Sequence, residues 1–177
     1  GVRLIQLRAK TTASGPLLDL ADSLAERCRS AGAIFVVNDR VDIARLARAS
    51  GVHLGQTDLA PADARRLVAP EMIVGVSTHN ADQIQAAIDE PVDYIAVGPV
   101  FATATKANPD PVIGLDGVRQ AAFACSARHL PVVAIGGVTL ERAAAVIAAG
   151  ASTVAVISDL LSGDPASRAR AFMSALS

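Results

Sequence analysis

The chain has 177 residues, 51% of them hydrophobic, and a formal net charge of −1 at pH 7. That length suits one large domain. The even charge balance, with no basic stripe and few aromatics, speaks against a nucleic-acid partner. No apolar run approaches the roughly 18 residues of a membrane span. Charges interrupt the opening GVRLIQLRAK where a signal peptide would be apolar, so the expectation is a cytoplasmic enzyme without a membrane partner. In chain order, VRLIQL (2–7) predicts a first buried strand, and LLDLADSLAERCRSAG (17–32) predicts a helix stopped by Gly32. AIFVVN (33–38), GVHL (51–54) and MIVGVS (72–77) predict three more strands, with helices over 41–50 and 61–69 between them. Asn80 is expected to cap a helix over 80–90. DYIAVG (93–98), PVVAIG (131–136) and STVAVIS (152–158) complete the strands. Helices are expected over 115–129, 139–150 (opened by Thr139) and 164–177.

Strict alternation of strand and helix, with strands apolar along their whole length, implies a parallel sheet covered by helices. Units of about 20–30 residues are those of a (β/α)8 TIM barrel. Seven units are present, not eight, and the chain enters directly into a strand at Gly1. The expectation is therefore a single TIM-barrel domain over 1–177 whose first βα unit is missing from this chain. A doubly wound seven-strand sheet competes with it, although no GxGxxG follows the first strand. Cys28 and Cys125 lie in helical patterns with no CxxC spacing, and read as buried thiols without a function.

In a barrel, functional groups gather where strands end. Those positions here read QLRAK, NDR, HLGQTD, VSTHN, GPVFATATK, AIGGV and VISD. Gln6, Arg8 and Lys10 alternate along an extended segment, so their side chains should share a face and hold an anion. They are equally what an exposed strand exit would carry. The sixteen basic residues are fourteen Arg and two Lys, Lys10 and Lys106; both lysines follow strands, where a compact ammonium suits a phosphate. Asp39 and Asp58 follow neighbouring strands without a His/Cys set, which suggests Mg2+ held with waters and substrate oxygens. Taken singly, each is better explained as a helix N-cap. Gly136-Gly137 and Ile157-Ser158 end the last two strands, where backbone amides commonly take phosphate, although a tight turn would also use two glycines. His53 is expected in the core, His79 either reaching the mouth or in a loop, His129 as structural, and Tyr94 in strand packing. Asp93 is expected to cap the turn ahead of its strand.

QLRAK, NDRVDIA, GVHLGQTD, GVSTHN, DYIAVGPVFATATK, AIGGV and VAVIS, in this order and spacing, resemble the thiamine-phosphate synthase family over essentially the whole chain. The resemblance implies a Mg2+-dependent transferase of thiamine biosynthesis. It joins the hydroxymethylpyrimidine group of a diphosphate to the nitrogen of hydroxyethylthiazole phosphate, giving thiamine phosphate and pyrophosphate. Carried onto matching positions, it implies that Gln6, Arg8, Lys10, Asn38 and Lys106 hold the diphosphate substrate. Asp39 and Asp58 would ligate Mg2+, and Ser77 would lie near the reacting centre. Thr103, Thr105, Gly137, Ile157 and Ser158 would hold the thiazole phosphate; Lys106, Ser77 and Arg8 are the groups expected to act on the chemistry. The partners implied are small molecules, and a homo-oligomer stays open. A related thiazole tautomerase branch carries His where this chain has Pro99, which cannot move a proton. A non-catalytic barrel binding thiamine-type phosphates is the other alternative.

Overall fold

A computed structural model describes residues 2–103 and 110–176. Two compact units divide within the fourth strand: residues 2–76 with 90–93, and residues 77–89 with 94 onward. Among the described residues, no helix is long and apolar enough to cross a membrane.

The first unit contains β1 (Leu4–Leu7), α1 (Ser14–Ser30), β2 (Ile34–Asn38), α2 (Val41–Leu46), β3 (Gly51–Leu54), α3 (Pro61–Leu67) and most of β4 (Ile73–Thr78). Its strands pair in parallel and in chain order, with Gln6 opposite Val36, Asn38 opposite His53 and Val52 opposite Val74. Consecutive residues Phe35, Val36 and Val37 are all buried, as a strand covered on both faces requires. Leu17, Ala21, Ala25 and Cys28, at helical spacing on α1, pack into the same core as Phe35, Val52 and Val74. Helix α1 starts three residues earlier than its apolar pattern suggested, because Pro16 is tolerated in a first helical turn. It stops as expected: Gly32 takes φ 66°, and Ala33 N–H reaches back to Cys28 O at 2.8 Å, the bond that closes a helix on a left-handed residue. Asp93 accepts the Val74 N–H at 2.7 Å and pairs with Arg65, tying residues 90–93 to β4 and α3 of the same unit.

The second unit contains the end of β4, then α4 (Ala81–Ile88), β5 (Tyr94–Val97), α5 (Gly114–Ser126), β6 (Val132–Ala134), α6 (Leu140–Ala148) and β7 (Thr153–Val154). A 3-10 turn (Asp159–Leu161) and α7 (Pro165–Ala175) follow. Here too the pairing is parallel and in order, with Ile95 opposite Val132 and Ala134 opposite Val154. The molecule is thus α/β with parallel strands, as the alternation implied. Asn80 caps α4 by accepting the Gln83 N–H at 2.9 Å. The strand expected over 152–158 is reduced to two paired residues, extended only by the Ala155 N–H to Ala134 O bond at 3.0 Å. Tyr94 begins β5 half-buried, and burial pushes its phenol up, which suits packing and not proton transfer. Both cysteines are free and buried.

Candidate functional site

In the first unit, β1 ends at Leu7, so only Gln6 of the expected alternating trio lies on the strand. Arg8 and Lys10 follow in the turn and are exposed. Lys10 Nζ stands 3.0 Å from Asp39 Oδ2. Asp39 takes φ 65°, a left-handed conformation that Asp tolerates better than most residues. Its N–H donates to His53 O on β3 at 2.8 Å, while Arg40 N–H folds back onto Asn38 O at 2.8 Å. This tight bend turns the carboxylate toward Lys10 and away from α2, whose N-cap is Arg40. The capping role considered for Asp39 is therefore not the one it plays. Nor does Asp58 cap α3, which begins behind Ala60; its Oδ2 instead accepts the Gly55 N–H at 2.7 Å. An open cleft of about 280 Å3 is lined by Lys10, Asn38, Asp39 and Arg40 among others.

The electrostatics of this group are unbalanced in an informative way. Burial raises the Asp58 carboxyl above its usual range, the Asp39 carboxylate within hydrogen-bonding reach raises it further, and the Gly55 N–H and Lys10 oppose both. Two carboxylates held together against their repulsion make a locus that gains from a cation. Among the described residues no cluster of three or more His, Cys, Asp or Glu is present. A hard cation here would take Asp39 and Asp58 and complete its shell with waters and substrate oxygens.

His53 lies beneath this locus at 6% exposure, the core position expected. Burial lowers its pKa to about 4, against an opposing pull from Asp39. A depressed histidine favours folding at pH above its unfolded value of about 6.5, and that contribution is lost as pH falls toward 4. Urea unfolding should therefore show stability dropping by on the order of 3 kcal/mol over that window. The His53→Asn variant should lack most of this drop, and an undiminished pH slope in it would refute the assignment.

In the second unit, Ser77 and Thr78 end β4. Thr78 is buried and its hydroxyl donates to Ala96 O at 3.1 Å, while Ser77 is half-buried. His79, expected either to reach the mouth or to be a loop residue, lies in the connection after β4: Nδ1 donates to Gly98 O at 2.5 Å, and Nε2 is 3.4 Å from Asp110 Oδ2. Gly98 N–H donates to Thr78 O at 3.2 Å, Val100 N–H to Ile135 O at 2.9 Å, and Phe101 N–H to Gly136 O at 3.0 Å. The segments after β5 and β6 thus run side by side. Gly136 and Gly137 both take positive φ, and a Cβ on Gly137 would sit 2.6 Å from Ala102 O. This brings Gly137 against the backbone leading into Thr103. Ile157 and Ser158 are exposed, and Ser158 opens the 3-10 turn. Thr105 and Lys106 lie outside the described residues.

The model of the thiamine monophosphate synthase family matches residues 1–160. The chain belongs to the thiamine monophosphate synthase family. The thiamine-phosphate synthase of Koribacter versatilis is 48% identical to it over 176 residues, covering 99% of this chain and 81% of the relative. That of a Synechococcus species is 46% identical over 177 residues, covering 99% of this chain and 49% of the relative. The chain therefore spans about four-fifths of one relative's length and half of the other's. Among solved structures, thiamine phosphate pyrophosphorylase from Pyrococcus furiosus superposes with a TM-score of 0.89 at 31% identity, covering 99% of this chain and 83% of that one.

In this member of the thiamine monophosphate synthase family, sequence reasoning overlooked several arginines that brace the strand-end loops. Arg40 bonds Asp42 and reaches Ser14 Oγ at 3.0 Å. Arg142 lies 4.6 Å from the Phe101 ring centroid and donates to Gly137 O at 3.1 Å, so one side chain clamps both the β5 and β6 loops. Only the adjacency of Arg40 to Asp39 in NDR gave a local hint. Thr139, expected to cap α6, makes no side-chain capping bond; Asp159, nineteen residues away, accepts the Leu140 N–H at 2.9 Å instead.

Proposed function

We propose that this chain is a thiamine-phosphate synthase: it transfers the hydroxymethylpyrimidine group from its diphosphate to hydroxyethylthiazole phosphate, releasing pyrophosphate. The observation that carries the reading is the Lys10–Asp39–Asp58 group, an ammonium and two crowded carboxylates at strand ends, in a chain of this family. Pro99 stands where the tautomerase branch has its proton-moving histidine, which favours the synthase.

In the proposed reaction the bond from the pyrimidine methylene carbon to the diphosphate oxygen breaks, and its electron pair leaves with pyrophosphate. The thiazole nitrogen then donates its lone pair to that carbon. Gln6, Arg8, Lys10, Asn38 and Lys106 would hold the diphosphate, Arg8 in a two-pronged grip and the lysines as point charges. Asp39 and Asp58 would hold Mg2+, which when bound neutralises charge developing on the leaving group. Thr103, Thr105, Gly137, Ile157 and Ser158 would hold the thiazole phosphate, and Ser77 would lie near the reacting carbon. Fixing two anions so that nucleophile and carbon meet is the larger part of such catalysis. Seven βα units of a (β/α)8 barrel forming one domain, and a cytoplasmic location, belong to the same proposal.

The test is incubation with both substrates and Mg2+, assaying thiamine phosphate. Product that needs all three components is expected. Binding of either phosphate without product would leave a non-catalytic binding protein, and proton exchange on the thiazole alone would identify a tautomerase. Lys106→Ala should lower kcat by about 10²-fold with little change in KM for the thiazole phosphate; the opposite split would move Lys106 to the other substrate.

A further inference from the structure

Directly after Ser158 comes an ionic cluster that none of the assigned roles uses. The Asp159 side chain is 14% exposed. Besides the Leu140 N–H, the first amide of α6, it accepts Arg168 Nε at 3.2 Å and Arg168 Nη2 at 2.8 Å. Arg168 comes from α7, where it also meets Glu141 Oε1 at 3.3 Å and lies 5.8 Å from the Phe172 ring centroid. Phe172 in turn packs with Val138 and Ala143 in a small core that includes Phe101, Leu140, Val154 and Val156. The carboxylate therefore fastens the turn that begins at Ser158 to the start of the helix that follows Gly136-Gly137.

This placement carries an electrostatic problem. An anion near Ser158 and Gly137 would lie close to a fixed carboxylate, and the Leu140 N–H is already taken by it. Like charges at such range repel appreciably where water is partly excluded. Arg168 supplies the remedy, because its two-pronged contact cancels the Asp159 charge at its source. We infer that Asp159 and Arg168 are positioning residues for the thiazole-phosphate subsite: Asp159 sets the Ser158 backbone against the start of α6, and Arg168 neutralises it so that the subsite admits a dianion. The inference rests on the reading that Gly137, Ile157 and Ser158 hold that phosphate.

Steady-state kinetics in both substrates test it. Arg168→Gln should raise KM for the thiazole phosphate roughly tenfold and leave KM for the pyrimidine diphosphate within about twofold. Added salt should shrink the effect. The double variant Asp159→Asn/Arg168→Gln should return KM for the thiazole phosphate to within roughly threefold of wild type, because the uncompensated charge is gone. A purely structural pair would move both KM values together and show no such rescue; either result overturns the inference. Should Arg168→Gln fail to fold, Arg168→Lys keeps the charge but loses the fork, and a thiazole-phosphate KM raised by about two- to fivefold is expected; an unchanged value overturns the inference. An inactive wild type would instead refute the proposed function.

Discussion

Asp39→Ala and Asp58→Ala are each expected to reduce Mg2+-dependent formation of thiamine phosphate by about 10³-fold or more, with the fold retained. Neither carboxylate caps a helix, and Asp58 sits in a short turn closed on Gly55, so removing either leaves no helix end unsatisfied. The stability effect should run the other way. Asp58's pKa is raised in the folded protein, so its favourable contribution is fully present only below the ordinary carboxylate pKa and is lost as pH rises through the folded value. Above that value the Asp58 carboxylate costs the metal-free protein stability. Asp58→Asn, which can still accept the Gly55 N–H, should therefore melt a few degrees higher than wild type in chelator at pH 7, and saturating Mg2+ should narrow the gap by stabilising only the wild type. Equal melting shifts with and without Mg2+, or undiminished turnover in either Ala variant, would sink the metal assignment.

Gly98→Ala is expected to destabilise the protein by about 3–5 kcal/mol. A Cβ there would lie 2.2 Å from the Ile135 carbonyl oxygen and 2.8 Å from Ile135 Cγ1. Neither partner can step aside easily. Ile135 donates its N–H to Val97 O and accepts Val100 N–H, while Gly98 is held by Thr78 O and the His79 ring. Urea unfolding reads the loss directly. Gly163→Ala is the natural comparison, with nothing within 4 Å of its Cβ position, and should stay within about 0.5 kcal/mol of wild type. Near-native stability in Gly98→Ala would show that the β5 and β6 exits are looser than their hydrogen bonds imply.

The alternation of elements was legible because the middle strands are apolar on both faces and the helices on one, two periods that do not imitate each other; β1, expected as a buried strand, is instead exposed at Leu4, Ile5 and Gln6. β7 was overestimated because STVAVIS reads the same whether or not its later residues find a pairing partner. Lys10 and Asp39 were legible as strand-end charges; their 3.0 Å ion pair was not, since it depends on the left-handed bend at Asp39. The Asp159–Leu140 bond spans nineteen residues and replaces the local cap that Thr139 advertised. Gly98 was legible as a strand terminator, whereas its necessity comes from a neighbouring carbonyl that no local pattern announces.

Lys10 is half-exposed beside Asp39, and the chain has one other lysine in 177 residues. Within these 177 residues, amine-directed reagents therefore meet only two lysine side chains. Acylation or reductive alkylation, which on most surfaces scatters over many positions, would here fall on the two lysines proposed to face the diphosphate. Covalent modification followed by mass mapping would then serve as an occupancy gauge, with Lys10 shielded when the diphosphate is bound and open to the reagent when it has left.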